Sequence, residues 1–192
     1  MKNRIFITGA SGIGKTTLAN FISQEFDLPY ISTSASNVWP RFGFETHEEA
    51  HQESVLNNVI GLEYQRAILK ERIDKLNGKL FYVTDRSPID NIAYTLLTMG
   101  HSLPHEAIME FVKDTYKILD SCEGIIYLRW THDCEIENNG KRILSPYYQK
   151  TVDSVIRMVL NEVEDRFNIP VLKMGTWDLE KRKNITREWL NQ

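Results

Sequence analysis

Gly9-Ala10-Ser11-Gly12-Ile13-Gly14-Lys15-Thr16 decides how the rest of the chain reads. The stretch fits G-x-x-x-x-G-K-[ST] at Gly9, Gly14, Lys15 and Thr16. The apolar run Ile5-Phe6-Ile7 stands before it and Leu18-Ala19-Asn20-Phe21-Ile22 after it, the strand–loop–helix setting the motif requires. Gly9, Gly12 and Gly14 let the backbone adopt conformations closed to other residues and come close to a ligand. The residues Gly9, Ala10, Ser11, Gly12, Ile13, Gly14, Lys15, Thr16 and Thr17 then form an anion-binding concavity of backbone N–H groups, reinforced by the positive end of the following helix. Lys15 is placed to reach the β- and γ-phosphates of a nucleotide, and the Thr16 hydroxyl to bind Mg²⁺.

Outward from this loop, short apolar runs alternate with helical periodicity. Strands are predicted over about Arg4–Thr8, Tyr30–Ser32, Leu80–Thr84, Ile125–Arg129 and Pro170–Met174. Helices are predicted from about Lys15 to Phe26, from Thr46 to Leu76 with Gly61 as a kink or division, and from Ser87 to Gly100. Further helices are predicted from Pro104 to Leu119, through Val152 to Phe167, and from Leu179 to Leu190. Alternating strands and helices predict a parallel sheet covered on both faces. Such sheets bind ligands at the carboxyl ends of their strands. Three polar groups fall there: the glycine-rich loop, Ser32 to Ser36, and Asp85-Arg86.

The candidate acceptor site begins at the serine-rich stretch and covers about residues 32–76. Ser32, Ser34 and Ser36 supply hydroxyls, and Trp39, Arg41 and Phe42 lie just beyond. An arginine among aromatics can stack a base; the same aromatics can plug a core, and both readings stand. His47-Glu48-Glu49-Ala50-His51 matches H-E-x-x-H, but Thr46 with Glu49 is also a capping box, which opens a helix. With no third ligand evident, the histidines are read as solvated residues of a first helical turn, not as a zinc site.

Asp85 is the candidate to hold Mg²⁺, or to take a proton from an acceptor hydroxyl, and the planar fork of Arg86 suits a phosphate. Residues from about 131 to 148 form a polar excursion with Asn138-Asn139-Gly140-Lys141-Arg142 at its centre. It reads as a lid, with Lys141 and Arg142 as its phosphate-facing cations and Arg142 as a catalytic charge.

The chain resembles the P-loop nucleoside and nucleotide kinases over most of its length. Phe6 to Thr17 looks like their opening; Asp85-Arg86-Ser87 resembles the acidic-Arg-Ser motif of deoxynucleoside kinases and the Asp-Arg pair of thymidylate kinases. Asn139-Gly140-Lys141-Arg142 before a long amphipathic helix looks like the lid of nicotinamide-riboside-kinase-like ATPases. The resemblance implies an α/β three-layer sandwich on a five-stranded parallel sheet of order 2-3-1-4-5. It also implies ATP with Mg²⁺, a nucleoside-class acceptor, and a kind of small kinase frequent in bacteriophages. Some of these families place an acidic residue after strand two. Here Ser32, Thr33, Ser34 and Ser36 stand instead, which leaves Asp85 as proton acceptor and suits a phosphate-bearing acceptor near Arg41 and Arg86. The expected activity is phosphoryl transfer to a deoxynucleoside 5′-monophosphate. A kinase of a hydroxymethylated base in DNA and a non-kinase NTPase are the alternatives.

Composition bounds these readings. The 192 residues, 42% hydrophobic and 26% charged, suit one domain, residues 1–192. A net charge of −3 supplies no global basic field for nucleic acid, so a small nucleotide is favoured over DNA as partner. Cys122 and Cys134 lack C-x-x-C spacing and read as reduced thiols. No apolar run approaches the ~20 residues of a membrane span, and Met1-Lys2-Asn3-Arg4 leads directly into a strand without a signal peptide. The expectation is a cytoplasmic protein, with a dimer allowed.

Overall fold

The computed structural model describes residues 2–134 and 143–192. Four parallel strands form its sheet: β1 (Arg4–Thr8), β2 (Tyr82–Thr84), β3 (Gly124–Leu128) and β4 (Val171–Met174), in the order β2-β1-β3-β4. This corrects the expected five-stranded sheet of order 2-3-1-4-5. The segment at Tyr30 makes a single parallel bridge to Val83. Val83 N–H donates to the Pro29 carbonyl and Ile31 N–H to the Val83 carbonyl. The chain then turns away into a 3-10 turn at Ala35–Asn37, with the Ser34 hydroxyl capping its start. A proline without an N–H on one side and a serine-rich turn on the other leave no length for a ladder.

Successive side chains of β1 point to opposite faces, and both are buried. Ile5 and Ile7 enter the main core, while Phe6 packs on the other side with Leu76 and Tyr82. A strand apolar on both sides is what a sheet covered on both faces requires.

Eight helices are described: α1 (Lys15–Phe26), α2 (Trp39–Phe42), α3 (His47–Leu56), α4 (Asn58–Leu76), α5 (Pro88–Met99), α6 (His105–Tyr116), α7 (Pro146–Arg166) and α8 (Leu179–Leu190). The predicted helix from Thr46 to Leu76 is two helices, divided at Asn57 and not at Gly61. Asn57 Oδ1 accepts from the N–H groups of Val59 and Ile60, both at 3.2 Å, which caps α4. Gly61 serves packing: a Cβ there would press on Met99 Sδ and on Ser54, so α3, α4 and α5 meet closely because that position has no side chain. The Thr46–Glu49 capping box is present at α3, and a Ser87–Asp90 box opens α5 behind Pro88. Among the described residues no helix is long and apolar enough to cross a membrane. Cys122 and Cys134 are free thiols.

Candidate active site

The loop after β1 takes the shape its glycines permit. Gly9, Gly12 and Gly14 have φ of 144°, 83° and 85°. A side chain at Gly9 would also run into Ile13 and the Leu128 carbonyl, so this turn admits only glycine. Lys15 is buried, its Nζ donating to the carbonyls of Gly9 at 2.7 Å and Ala10 at 2.5 Å. Gln149 on α7 joins the loop to the chain beyond it: its Oε1 accepts from Ser11 N–H at 3.1 Å and its Nε2 donates to the Ile143 carbonyl at 2.8 Å. Behind the loop, Arg182 on α8 donates from Nη1 to the Ile13 carbonyl at 2.6 Å.

Thr16 and Asp85 come together from the ends of β1 and β2, the Thr16 hydroxyl donating to Asp85 Oδ2 at 2.6 Å. Asp85 Oδ1 is buried with no protein partner. A buried carboxylate oxygen left unpaired beside a hydroxyl is the oxygen set a hard cation takes, and it fits Mg²⁺ bridged to a nucleotide. Among the described residues no group of three or more His, Cys, Asp or Glu is arranged to hold a metal. Tyr30 lies beside this pair; burial, then the Asp85 charge, push its phenol up to about 12.

A cavity of about 220 Å³ opens next to Thr16 and Asp85. Ser11, Ser34, Ser36, Trp39 and Arg86 line it, so the three polar groups at the strand ends do converge. Burial alone would lower the Arg86 guanidinium, but the surrounding Tyr94, Asp90, Asp85 and Tyr64 outweigh that and hold it above its ordinary value. The other cavity carboxylate, Asp90, is engaged: Thr8 Oγ1 donates to it at 2.6 Å and Ser87 N–H at 3.0 Å.

Three expected acceptor residues are placed elsewhere. Ser32 is half-buried outside the cavity lining, its carbonyl accepting from Lys75 Nζ at 2.8 Å. Arg41 is exposed at the end of α2. Phe42 packs on Phe44 and Tyr64, with ring centroids 5.7 and 5.5 Å apart. The aromatic stretch thus builds a small second core of Val38, Trp39, Phe44, Ala50, Tyr64 and Ile68, and Trp39 alone of the three expected residues past Asn37 also lines the cavity. Its Nε1 donates to the Tyr64 hydroxyl at 2.8 Å. Lys141 and Arg142 lie outside the described residues.

Other cavity residues went unread in the sequence. Arg72, fully buried on α4, donates to the Ser87 carbonyl at 2.6 Å and to Asn91 Oδ1; burial pushes its guanidinium down to about 10. Asn91 Nδ2 in turn donates to Gln65 Oε1 at 3.2 Å. With its oxygen taken, Gln65 keeps its amide donors for the cavity. These residues sit on helices whose periodicity reads as core, so only Gln65, Arg72 and Asn91 falling at apolar-phase positions could have signalled them. His47 and His51 are the other surprise: they line the cavity instead of facing solvent. The His47 ring stands edge-on to Tyr94 at 5.4 Å, and His51 to Tyr148 at 5.2 Å. Burial, then the nearby Arg86, His51 and Lys15, push His47 down to about 4, and burial also lowers His51.

A glycine cradle between β1 and α1, a Thr–Asp pair at adjacent strand ends and a polar cavity under a helical cap define a P-loop nucleoside/nucleotide kinase-like fold. The chain belongs to the AAA domain family, whose model matches residues 4–182. Solved structures resemble it over nearly its whole length. Deoxyadenosine kinase from M. mycoides with bound dATP is 16% identical at a TM-score of 0.71, over 99% of this chain and 100% of that one. YorR protein from Bacillus subtilis, in complex with phosphorylated GDP, is 15% identical at a TM-score of 0.53, over 97% and 94%. NadR protein in complex with NR is 12% identical at a TM-score of 0.65, over 98% of this chain and 50% of that one.

Proposed function

We propose that the protein is a phosphotransferase that moves the γ-phosphoryl group of ATP to a nucleotide-class acceptor, a deoxynucleoside 5′-monophosphate. The observation that carries this is the placement of Thr16 and the half-unpaired Asp85 in the lining of the cavity that Arg86 also lines. Metal-bound donor phosphate and acceptor then meet at one point.

In this reading the backbone from Gly9 to Thr17 cradles the donor phosphates, and Lys15 leaves the loop carbonyls to reach them. Thr16 and Asp85 would hold Mg²⁺, whose chemistry there would be to neutralise charge on the donor phosphates. Asp85 serves that ion and not as proton acceptor, because Thr16 occupies one of its oxygens and the ion would take the other. Arg86 clamps the acceptor phosphate with a fork that stays charged. Ser34, Ser36 and Trp39 line the acceptor chamber, and Gln65 offers amide donors to a base edge rich in acceptors. Phe42 supports that chamber from outside through Tyr64. Lys141 and Arg142 join the donor phosphates as lid cations, Arg142 with a catalytic share. Substrates of this size and a chain of net charge −3 fit a soluble nucleotide enzyme.

The test is transfer of label from ATP across nucleosides, nucleoside monophosphates, and plain or hydroxymethylated DNA. Label on a deoxynucleoside monophosphate is the expected result. Label on DNA alone, or release as free phosphate with every acceptor, overturns the reading.

A further inference from the structure

The H-E-x-x-H stretch is the one sequence motif that the proposed transfer leaves unused. It does not assemble a metal centre among the described residues. The fold instead turns both histidines inward. His47 and His51, one helical turn apart on α3, line the acceptor cavity with Ala50 and Ser54.

The charges facing His47 come from several elements. Lys15 approaches from α1, Arg86 from the turn after β2, and His51 from its own helix. Tyr94 on α5 and Tyr148 on α7 present aromatic rings at 5.4 and 6.2 Å. Of the cavity carboxylates, Asp90 is committed to Thr8 and Ser87, and Asp85 gives one oxygen to Thr16 while its other is the one assigned to the cation. A neutral imidazole among cations, in a chamber of hydroxyls, is a setting completed by an anion.

We propose that His47, together with Arg86, is a proton-linked clamp on the acceptor's phosphate, taking up a proton as that phosphate binds. The clamp rests on the acceptor being a nucleoside monophosphate, as in the proposed function. It also accounts for the missing carboxylate after Ile31. A hydroxyl nucleophile needs a base, but a phosphate monoester, whose second proton leaves with a pKa of about 6, is mostly the dianion at neutral pH and needs none. In the transfer, a lone pair of the acceptor phosphate oxygen forms the bond to the γ-phosphorus of ATP. The bond from that phosphorus to the bridging oxygen breaks, and its electron pair leaves with ADP. No proton moves in that step. The His47 proton comes from solvent when the anion arrives and returns when product leaves. Burial first, and then the cations around it, keep the empty imidazole neutral; the arriving phosphate offsets the cations and supplies a counter-charge, so the imidazole's affinity for a proton rises.

The experiment is calorimetric titration of the ATP-free protein with a deoxynucleoside 5′-monophosphate in two buffers of different ionisation heat. It is run on the wild type, on His47→Asn and on His47→Gln, with the matching nucleoside as control. Comparing proteins cancels the phosphate's own titration. The wild type should take up more proton than either variant, and only with the monophosphate. The variants should bind the monophosphate about tenfold more weakly, with ATP affinity within about twofold. In the wild type, the His47 imidazole resonance should move to its charged position as monophosphate is added, a readout that needs no variant. Equal proton uptake in all three proteins, or a stationary resonance, overturns the clamp while monophosphate phosphorylation leaves the acceptor reading intact. Phosphorylation of nucleosides with no binding of monophosphates overturns both.

Discussion

Thr16 and Asp85 stand 69 residues apart in the chain and 2.6 Å apart in the fold. At this scale the site rests on few groups, and each can be tested. Lys15→Ala should lower the transfer rate about a hundredfold or more, the range for removing a charge aimed at developing charge. The buried carbonyls of Gly9 and Ala10 lose their partner, so the melting temperature without nucleotide should fall modestly while the variant still folds; unchanged turnover would refute the phosphate-loop role. His47 gives a pH prediction for the empty protein. Its imidazole sits near 4 in the fold against an ordinary 6.5. Between those values the unfolded chain binds the extra proton, so this group's contribution to stability is complete above about 6.5 and is lost as pH falls toward 4. Melting temperature against pH should therefore fall less steeply in His47→Asn than in the wild type over that window. Parallel curves would show that His47 titrates normally.

At the scale of elements, α4 and α5 carry the acceptor chamber, and one residue ties them. Arg72 spans from α4 to the first turn of α5, meeting Ser87 and Asn91, and reaches Thr33 Oγ1 at 3.4 Å on the segment before α2. Arg72→Leu keeps the bulk but strands these acceptors in the interior. The expected loss is about 2–4 kcal/mol, since a buried group left without its partner costs roughly 1–3 kcal/mol. A urea midpoint equal to that of the wild type would show that the tie is dispensable. The same elements mark how far local pattern reaches. The capping boxes at Thr46 and Ser87 announce α3 and α5 because their hydrogen bonds span only three residues. The break at Asn57 was hidden by an apolar rhythm that runs on through Val59 and Leu62 into α4, and Gly61 drew attention as a breaker when its small size serves helix packing.

For the whole molecule, the site is a chamber between the sheet's carboxyl edge and a cap of α2, α3 and α4, and its size limits what enters. Transfer to a small nucleotide should depend only mildly on ionic strength. A DNA-directed enzyme would lose binding with a log–log slope near −0.9 for each duplex phosphate it neutralises. Rates measured against salt with each acceptor separate the two. A steep loss with modified DNA, alongside inert monophosphates, would move the function to the polymer.

What the sequence determined by itself is local. The glycine loop, its flanking strand and helix, and the Asp85-Arg86 turn are legible because backbone conformation and phosphate chemistry demand those residue types at short, set spacings. What only the tertiary structure decided is which side chains share the cavity. The segment at Tyr30 holds to β2 by one bridge, cut short between Pro29 and the turn at Ala35–Asn37, and where that turn carries the chain is settled by packing beyond the segment. Arg41 stays on the surface and Phe42 packs into the small second core while Arg72, Gln65 and His47 line the cavity, because helix rotation is set by long-range packing of whole apolar faces, such as those around Gly61 and Tyr64. A polar residue's place on that face, inside or out, is the sum of contacts made by residues far from it in the chain.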